Sequence, residues 1–219
     1  MMAGRWAWRL LSLAALPLAL ASCGGGGGGS DSSGDAELRF LAQHNARFNG
    51  GVTTRWPNFP IRVFQNNIAQ RDEVTEWTAV TGGLVTFAFV GGRSAADIFF
   101  SFTTGDTICG VTTVEFEADG RITSAEVRVV QAVFRSPQCV KTVTHEVGHA
   151  IGFLDHTADG GLMDDDGGNG EITAPVSRMF VNLYSMPPGT VVGTGERTRV
   201  ALRRPGGRYS MTFVYPVRR

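Results

Sequence analysis

The residues with the clearest chemical potential lie at positions 145 to 152, which read His-Glu-Val-Gly-His-Ala-Ile-Gly. On an α-helix, His145 and His149 stand four residues apart, so their imidazoles project from the same face, one turn apart. Two imidazoles in that arrangement can bind one zinc ion. Glu146 follows the first histidine and is placed to accept a proton from water that the metal activates. The spacing therefore predicts a catalytic zinc site with two histidine ligands and Glu146 as general base.

The residues around this motif are typical of a helix. An apolar stripe at helical spacing runs along the segment and consists of Val140, Val143, Val147 and Ile151. Ser136 and Pro137 are residues that commonly begin helices, and Gly152 is a typical helix stop. Because glycine has no Cβ, the chain can turn abruptly at Gly152 and bring a third ligand to the metal.

From His145 to Met163 the chain reads HEVGHAIGFLDHTADGGLM, which resembles the metzincin clan of zinc endopeptidases. The clan pattern is H-E-x-x-H-x-x-G-x-x-H followed by a methionine turn. His145, Glu146, His149 and Gly152 match it position for position, and Met163 falls where the methionine turn is expected. The resemblance covers Pro60 to Tyr184. It implies a zinc endopeptidase that holds one catalytic Zn²⁺ above Met163 and hydrolyses a peptide or protein substrate.

The third ligand departs from the clan pattern. The gapless position holds Asp155, and His156 follows one residue later. The spacing favours Asp155, since the snapalysins among the metzincins use aspartate here and carboxylates bind zinc at ~2.0–2.2 Å. His156 is the alternative if the turn after Gly152 is one residue longer, because imidazole is the commoner third ligand. Whichever residue does not bind zinc could orient one that does.

The periodicity of the chain predicts the elements that must position this motif. Residues 61–64, 84–90, 97–102 and 126–133 have the composition of strands, and residues 36–48, 68–80 and 172–184 have helical spacing. This order predicts an α+β fold in which a mixed, mostly parallel twisted sheet lies over two main helices. The metzincin resemblance implies that the zinc helix is followed by the Met-turn and a C-terminal helix. An extended substrate is expected to pair with a sheet edge within 126–133.

The first residues resemble a bacterial lipoprotein signal peptide. Arg5 and Arg9 precede an apolar run from Leu10 to Ala21, which is too short to span a bilayer, and Leu-Ala-Ser-Cys ends the segment at Cys23. Residues 1–22 would be removed, and Cys23 would carry lipid. Residues 23–35 form a Gly/Ser-rich tether. This pattern predicts a protein that is lipid-anchored in the bacterial cell envelope, at the outer membrane or the cell surface.

Two further cysteines, Cys109 and Cys139, remain once Cys23 is assigned to the lipid. An exported protein meets oxidising conditions, which permit one disulfide between them. Such a bond would anchor the chain just before the zinc helix. Two buried free thiols are the alternative.

The composition limits the class of protein. The chain of 219 residues has 20 Lys and Arg, 20 Asp and Glu, and 42% hydrophobic residues. This content suits one compact domain, placed at 36–189, and excludes a mainly disordered protein. The balanced charge offers no electrostatic basis for binding nucleic acid. We expect a monomer, with residues 190–219 forming a tail that resembles a β-hairpin.

Several features allow other interpretations. The acidic loop from Asp164 to Glu171 partly resembles a calcium loop, but Val176 stands where the bidentate glutamate belongs, so a solvated turn is favoured over calcium. Glu171 would be the third ligand in a gluzincin-type peptidase. A non-catalytic, zinc-containing surface binding lipoprotein is a further alternative, against which the intact Glu146 argues. His44 stands on a short amphipathic stretch and is expected to be a packing or surface residue.

Overall fold

One mixed sheet organises the molecule. The computed structural model describes residues 33–67, 70–105, 107–131, 139–193, 202–203 and 207–217. The strand order is β2-β1-β3-β5-β4-β7-β6. The strands are β1 Ile61–Phe64, β2 Phe87–Phe89, β3 Ile98–Thr103, β4 Ile108–Glu117, β5 Ile122–Val130, the two-residue β6 Leu202–Arg203, and β7 Arg208–Pro216.

The strand directions divide the sheet into two parts. β2, β1, β3 and β5 pair in parallel, whereas β4, β7 and β6 join by antiparallel pairing. β4 and β6 therefore run opposite to the other five strands. The expected α+β class, with a mixed and mostly parallel sheet, is confirmed.

Alternation of buried and exposed residues explains why β5 forms a strand with a defined inner face. Ala125, Val127 and Val129 are buried, while Arg128 between them is exposed. Because successive side chains of a strand point to opposite faces, this pattern directs the apolar side chains into the core. The helix α3 packs against that strand and against β4.

Four α-helices accompany the sheet in the part of the chain that the structure describes: α1 Ser33–His44, α2 Arg71–Val80, α3 Thr142–Ala150 and α4 Ala174–Ser185. The indole of Trp77 on α2 donates a hydrogen bond to the Thr144 carbonyl of α3 at 2.9 Å. α1 packs against α4. No helix among the described residues is both long and apolar enough to cross a membrane.

The strands and helices differ from the sequence prediction in three places. β4 was not predicted, and it pairs with β5 on one side, so β5 is an interior strand and the expected substrate edge within 126–133 is wrong. The tail does contain an antiparallel β6–β7 pair, but β7 also joins the sheet through β4. Ser136 and Pro137 lie outside the described residues, as does the segment 1–32, and α3 begins at Thr142.

Candidate metal centre

Helix α3 carries the first two histidines in fully buried surroundings. Every residue from Thr142 to Ala150 is buried, and both His145 and His149 are 0% exposed. The helix can lie this deep because Gly148, between the two histidines, has no side chain. A Cβ there would lie 2.7 Å from the Met163 sulfur and 2.9 Å from the Trp77 ring. Met163 thus packs against α3 at Gly148.

The chain leaves α3 through Gly152 and returns towards the histidines. Gly152 has a φ of 110°, and a Cβ at this position would lie 2.8 Å from the Thr54 carbonyl oxygen. A residue with a side chain would be strained here and would clash with backbone, so both the conformation and the space favour glycine. The Asn45 side chain holds the turn by donating to the carbonyls of Gly152 and Thr54, each at 2.7 Å.

This turn brings His156, not Asp155, to the two helical histidines. The Nε2 atom of His149 lies 3.1 Å from that of His145 and 3.2 Å from that of His156. A tetrahedral zinc ion with bonds of ~2.0–2.1 Å needs ligand nitrogens about 3.3 Å apart. Of the His, Cys, Asp and Glu side chains that the structure describes, these three histidines form the one group able to hold a metal ion.

The hydrogen bonds of the rings show which nitrogen carries the proton. Nδ1 of His145 lies 2.6 Å from the Leu162 carbonyl oxygen, and Nδ1 of His149 lies 2.7 Å from that of Phe153. Because a carbonyl can only accept, both Nδ1 atoms must donate. In the neutral rings the facing Nε2 atoms therefore carry lone pairs and no hydrogen. Lone pairs this close repel one another unless a cation lies between them, so the donor set fits a metal ion.

Burial keeps the three imidazoles in the neutral form that binds metals. Desolvation, with a smaller contribution from His156, lowers the pKa of His145 to about 3. The same causes lower the pKa of His149 well below its usual value, and desolvation also lowers the pKa of His156. At neutral pH no proton has to be displaced from these nitrogens before a metal can bind.

Asp155 has partners away from the histidine cluster. Arg47 donates to its carboxylate at 2.6 Å, and Nδ1 of the buried His44 lies 3.1 Å from the same oxygen. The expectation that favoured Asp155 as the third ligand does not agree with this geometry, in which the turn is one residue longer than the gapless alignment assumes. The contact also gives His44 a partner that its isolated position in the sequence did not suggest.

Glu146 follows the first histidine of the cluster on α3, and β4 holds its side chain. Its Oε2 accepts a hydrogen bond from the Thr112 hydroxyl at 2.5 Å, and the side chain is 0% exposed. Its Oε1 is buried and has no hydrogen-bond partner among the described residues. A Cβ on Gly110 would lie 2.5 Å from this oxygen, so β4 has no side chain where the carboxyl needs room. Burial raises the pKa of Glu146 to about 8.

Sequence reasoning did not identify Gly110 and Thr112, because it did not predict β4. A glycine within a β-rich run is a known sign of close approach by another group. That sign was present at Gly110, but its partner lies 36 positions away in the printed sequence. The distance along the chain gives no indication that Glu146 would be the group concerned.

The C-terminal strand supplies two aromatic rings that were also not foreseen at the site. Tyr215 stacks on His145 with ring centroids 4.3 Å apart, and Phe213 stacks on His149 at 4.4 Å with the planes 4° apart. Both rings are buried. The histidine cluster thus has α3, the segment from Leu162 and β7 around it, while His156 is half-buried.

Cys109 and Cys139 form a disulfide with an S–S distance of 2.07 Å. The bond joins the start of β4 to the residues that precede α3, so it ties the strand that holds Glu146 to the helix that carries it. Tyr215 packs against both cysteines. Cys23, the expected lipidation site, lies outside the described residues.

The acidic segment after His156 has the contacts of a turn. The carboxylate of Asp164 accepts hydrogen bonds from the Thr157 hydroxyl and from the backbone amides of Asp159 and Gly160. Glu171 is exposed, and its carboxylate faces the Asn169 amide at 3.4 Å. Among the described residues, neither the acidic segment nor Glu171 belongs to a group of three or more His, Cys, Asp or Glu side chains close enough together to hold a metal ion.

A comparison with known protein families finds no family that matches this chain. No curated protein matches the sequence either.

Proposed function

We propose that the chain is a zinc-dependent endopeptidase with a metzincin-like site, exported and lipid-anchored through Cys23 in the bacterial cell envelope. His145, His149 and His156 would hold the metal. The observation that carries this proposal is the convergence of the Nε2 atoms of three neutral histidines, the first of which is followed in sequence by a buried carboxyl group with one unpartnered oxygen. A site that served structure alone would have no use for such a carboxyl group.

When bound, zinc supplies Lewis acidity, which acidifies water and polarises a peptide carbonyl. Glu146 is the proton carrier of the site. Its Oε1 accepts the proton from water and later returns it to the leaving amine, while Oε2 remains bonded to Thr112. Because the hydrogen bond from Thr112 fixes Oε2 of Glu146, the orientation of Oε1 is defined as well.

The hydrogen bonds to the histidines orient the ligands for this chemistry. The carbonyls of Leu162 and Phe153 hold the Nδ1 atoms of His145 and His149, so that Nε2 faces inward in each ring. The backbone of the Met163 segment therefore contributes to the site through Leu162. Met163 itself fills the space below Gly148.

The direct test is zinc content together with cleavage of casein by the purified full chain. We expect one zinc ion per chain, and we expect a chelator to remove the zinc and the cleavage together. Readdition of zinc should restore both. A protein that binds no zinc would contradict the proposal. Bound zinc with cleavage neither by wild type nor by the loosened variant Phe213→Ala with Tyr215→Ala, described below, would support a binding role instead.

A further inference from the structure

The C-terminal strand β7 lies between β4 and the two-residue edge strand β6 and contacts the histidine cluster. It pairs antiparallel with β4 from Glu117↔Arg208 to Ile108↔Pro216. β5 pairs with the other side of β4. β4 therefore has no free edge over the length of this pairing, although it is the strand that carries Gly110 and Thr112 against Glu146.

The side chains of β7 alternate between the site and solvent. Met211, Phe213 and Tyr215 are buried, whereas Thr212 and Val214 are exposed. The inward rings of Phe213 and Tyr215 stack on His149 and His145. The Tyr215 hydroxyl donates to the Val140 carbonyl just before α3, at 3.0 Å. β7 thus contacts the His145 and His149 rings directly, and the Tyr215 hydroxyl joins the strand to the residues just before α3.

This arrangement closes the site to an extended peptide. A peptide that adds to a sheet needs a strand with unpaired backbone groups, and β4 has none where β7 is paired. His145, Glu146 and His149 are each 0% exposed with β7 in place. His156 is half-buried, but a substrate backbone cannot pair with β4 beside Glu146 while the strand stays where it is.

We propose that β7 is an autoinhibitory strap, which occupies the edge of β4 in place of substrate and must move before the site can act. This inference rests on the proposed peptidase function. The strap belongs to the same chain, so it competes with substrate at about millimolar effective concentration, as tethered segments do. Activation would require release of β7 from β4, and the rings of Phe213 and Tyr215 would leave the histidines with it.

A lock variant can hold the strap closed in the full chain. Thr113 and Thr212 face each other across β4 and β7 on the exposed side, with their Oγ1 atoms 3.0 Å apart. Thr113→Cys together with Thr212→Cys would place two sulfurs within reach of a disulfide. Thr212→Cys alone is the matched control. Wild-type protein is taken through the same reduction, because the reductant also reaches the Cys109–Cys139 bond.

A second variant loosens the strap. Phe213→Ala with Tyr215→Ala removes the two rings that lie on the histidines and leaves the backbone pairing. Val214→Ala, at a side chain 45% exposed on the outer face of the same strand, is its control. The two variants act in opposite directions, so the lock still tests the proposal if loosening impairs folding.

Peptide cleavage is the first measurement. We expect the oxidised lock to cleave at least about tenfold more slowly than wild type, and the loosened variant at least about tenfold faster, given the high effective concentration of a tethered strand. Reduction should restore the lock to the wild-type rate. If the rings served only to position the histidines, the loosened variant would lose zinc and the lock would leave the cleavage rate unchanged. That result would overturn the strap proposal.

The second measurement needs no peptidase activity. Diethyl pyrocarbonate modifies accessible imidazoles, and mass spectrometry can follow each of the four histidines in the metal-free full chain. We expect slower modification of His145, His149 and His156 in the lock and faster modification in the loosened variant. His44 lies outside the cluster and is buried, so faster modification of His44 would indicate unfolding.

The two measurements separate the two proposals. Modification that follows the strap without cleavage by any variant would support the strap and reject the peptidase. Cleavage by wild type that neither variant alters, with unchanged modification, would support the peptidase and reject the strap.

Discussion

Two neighbouring residues, Asp155 and His156, differ in their surroundings, and only His156 joins the histidine cluster. The Asp155 carboxylate accepts a hydrogen bond from the Arg47 guanidinium, and the His44 ring lies close to the same oxygen. His156 has its Nε2 3.2 Å from that of His149. A carboxylate that is paired with a guanidinium gains little by turning away from it, whereas imidazole suits a buried zinc site.

We therefore predict that His156→Ala loses zinc at micromolar chelator. Asp155→Asn should keep the zinc with a smaller loss of affinity, ~10–100-fold, because it removes only a group that orients the ligand loop. Competition with a chromogenic chelator measures both affinities. The opposite order would make Asp155 the ligand, and mild effects from both variants would direct attention to Glu171.

Glu146 is the residue whose loss should separate chemistry from metal binding. Glu146→Gln keeps the shape of the side chain and its contact with Thr112 but cannot carry a proton. We expect cleavage to fall by ~10²–10⁴-fold, while zinc content remains that of wild type. Kinetics on wild type and variant with equal zinc loading test this, and retained cleavage would place the base elsewhere.

The same variant should change how the stability of the metal-free protein depends on pH. Burial raises the Glu146 pKa from 4.5 to about 8, so the folded state holds this proton more tightly than the unfolded state does. The stability that this carboxyl contributes is therefore lost as pH rises from 4.5 to about 8. The buried histidines have lowered pKa values in the folded state, so they oppose this loss only below about pH 6.5. Between about pH 6.5 and 8, urea unfolding of Glu146→Gln should show the smaller decline.

At the scale of elements, β4 connects the functional parts of the molecule. Its first residues carry Cys109 and Gly110, its middle carries Thr112, and its two sides pair with β5 and β7. The strand thus contacts the proposed general base Glu146, carries one end of the disulfide and pairs with the proposed strap β7. A shift of β4 would change all three together.

The disulfide should contribute to stability because it closes a long loop in the unfolded chain. Cys109 and Cys139 are separated by 30 positions, for which the chain-entropy treatment gives about 3–4 kcal/mol. We expect Cys109→Ser with Cys139→Ser to lower the free energy of unfolding by about this amount, measured with denaturant. Reduced wild type should behave like the double variant. Peptide mapping without reductant should find the two cysteines linked, and alkylation of both as free thiols would contradict the bond.

At the scale of the whole molecule, the proposed anchor would hold the domain at a membrane surface through a Gly/Ser-rich tether. We predict that Cys23→Ala releases the protein from the membrane fraction or blocks its maturation, because a small-residue run ending in cysteine marks the lipidated position. Ser22→Ala keeps a small residue there and serves as the control. Detergent partitioning and intact mass measure the effect, and identical behaviour of Cys23→Ala and wild type would reject the anchor.

Local spacing along the chain predicted much of the fold and the centre of the site. β1 was expected at 61–64 and is found there, and α2, α3 and α4 lie within or near their predicted segments. The pair His145 and His149 needed only the geometry of a helix. Gly152 needed only the requirement for a backbone conformation that other residues avoid, and its φ is 110°.

Tertiary structure decided the contacts that join distant segments. The sequence gives no local sign of the contact between Arg47 and Asp155, which are 108 positions apart, yet Asp155 makes this contact and is left out of the cluster that His156 joins. Thr112 reaches Glu146 only because β4 packs against α3. Tyr215 covers His145 only because β7 adds to β4. Helical spacing and positive φ depend on a few neighbouring residues, whereas these pairings depend on which buried surfaces of the whole chain fit together.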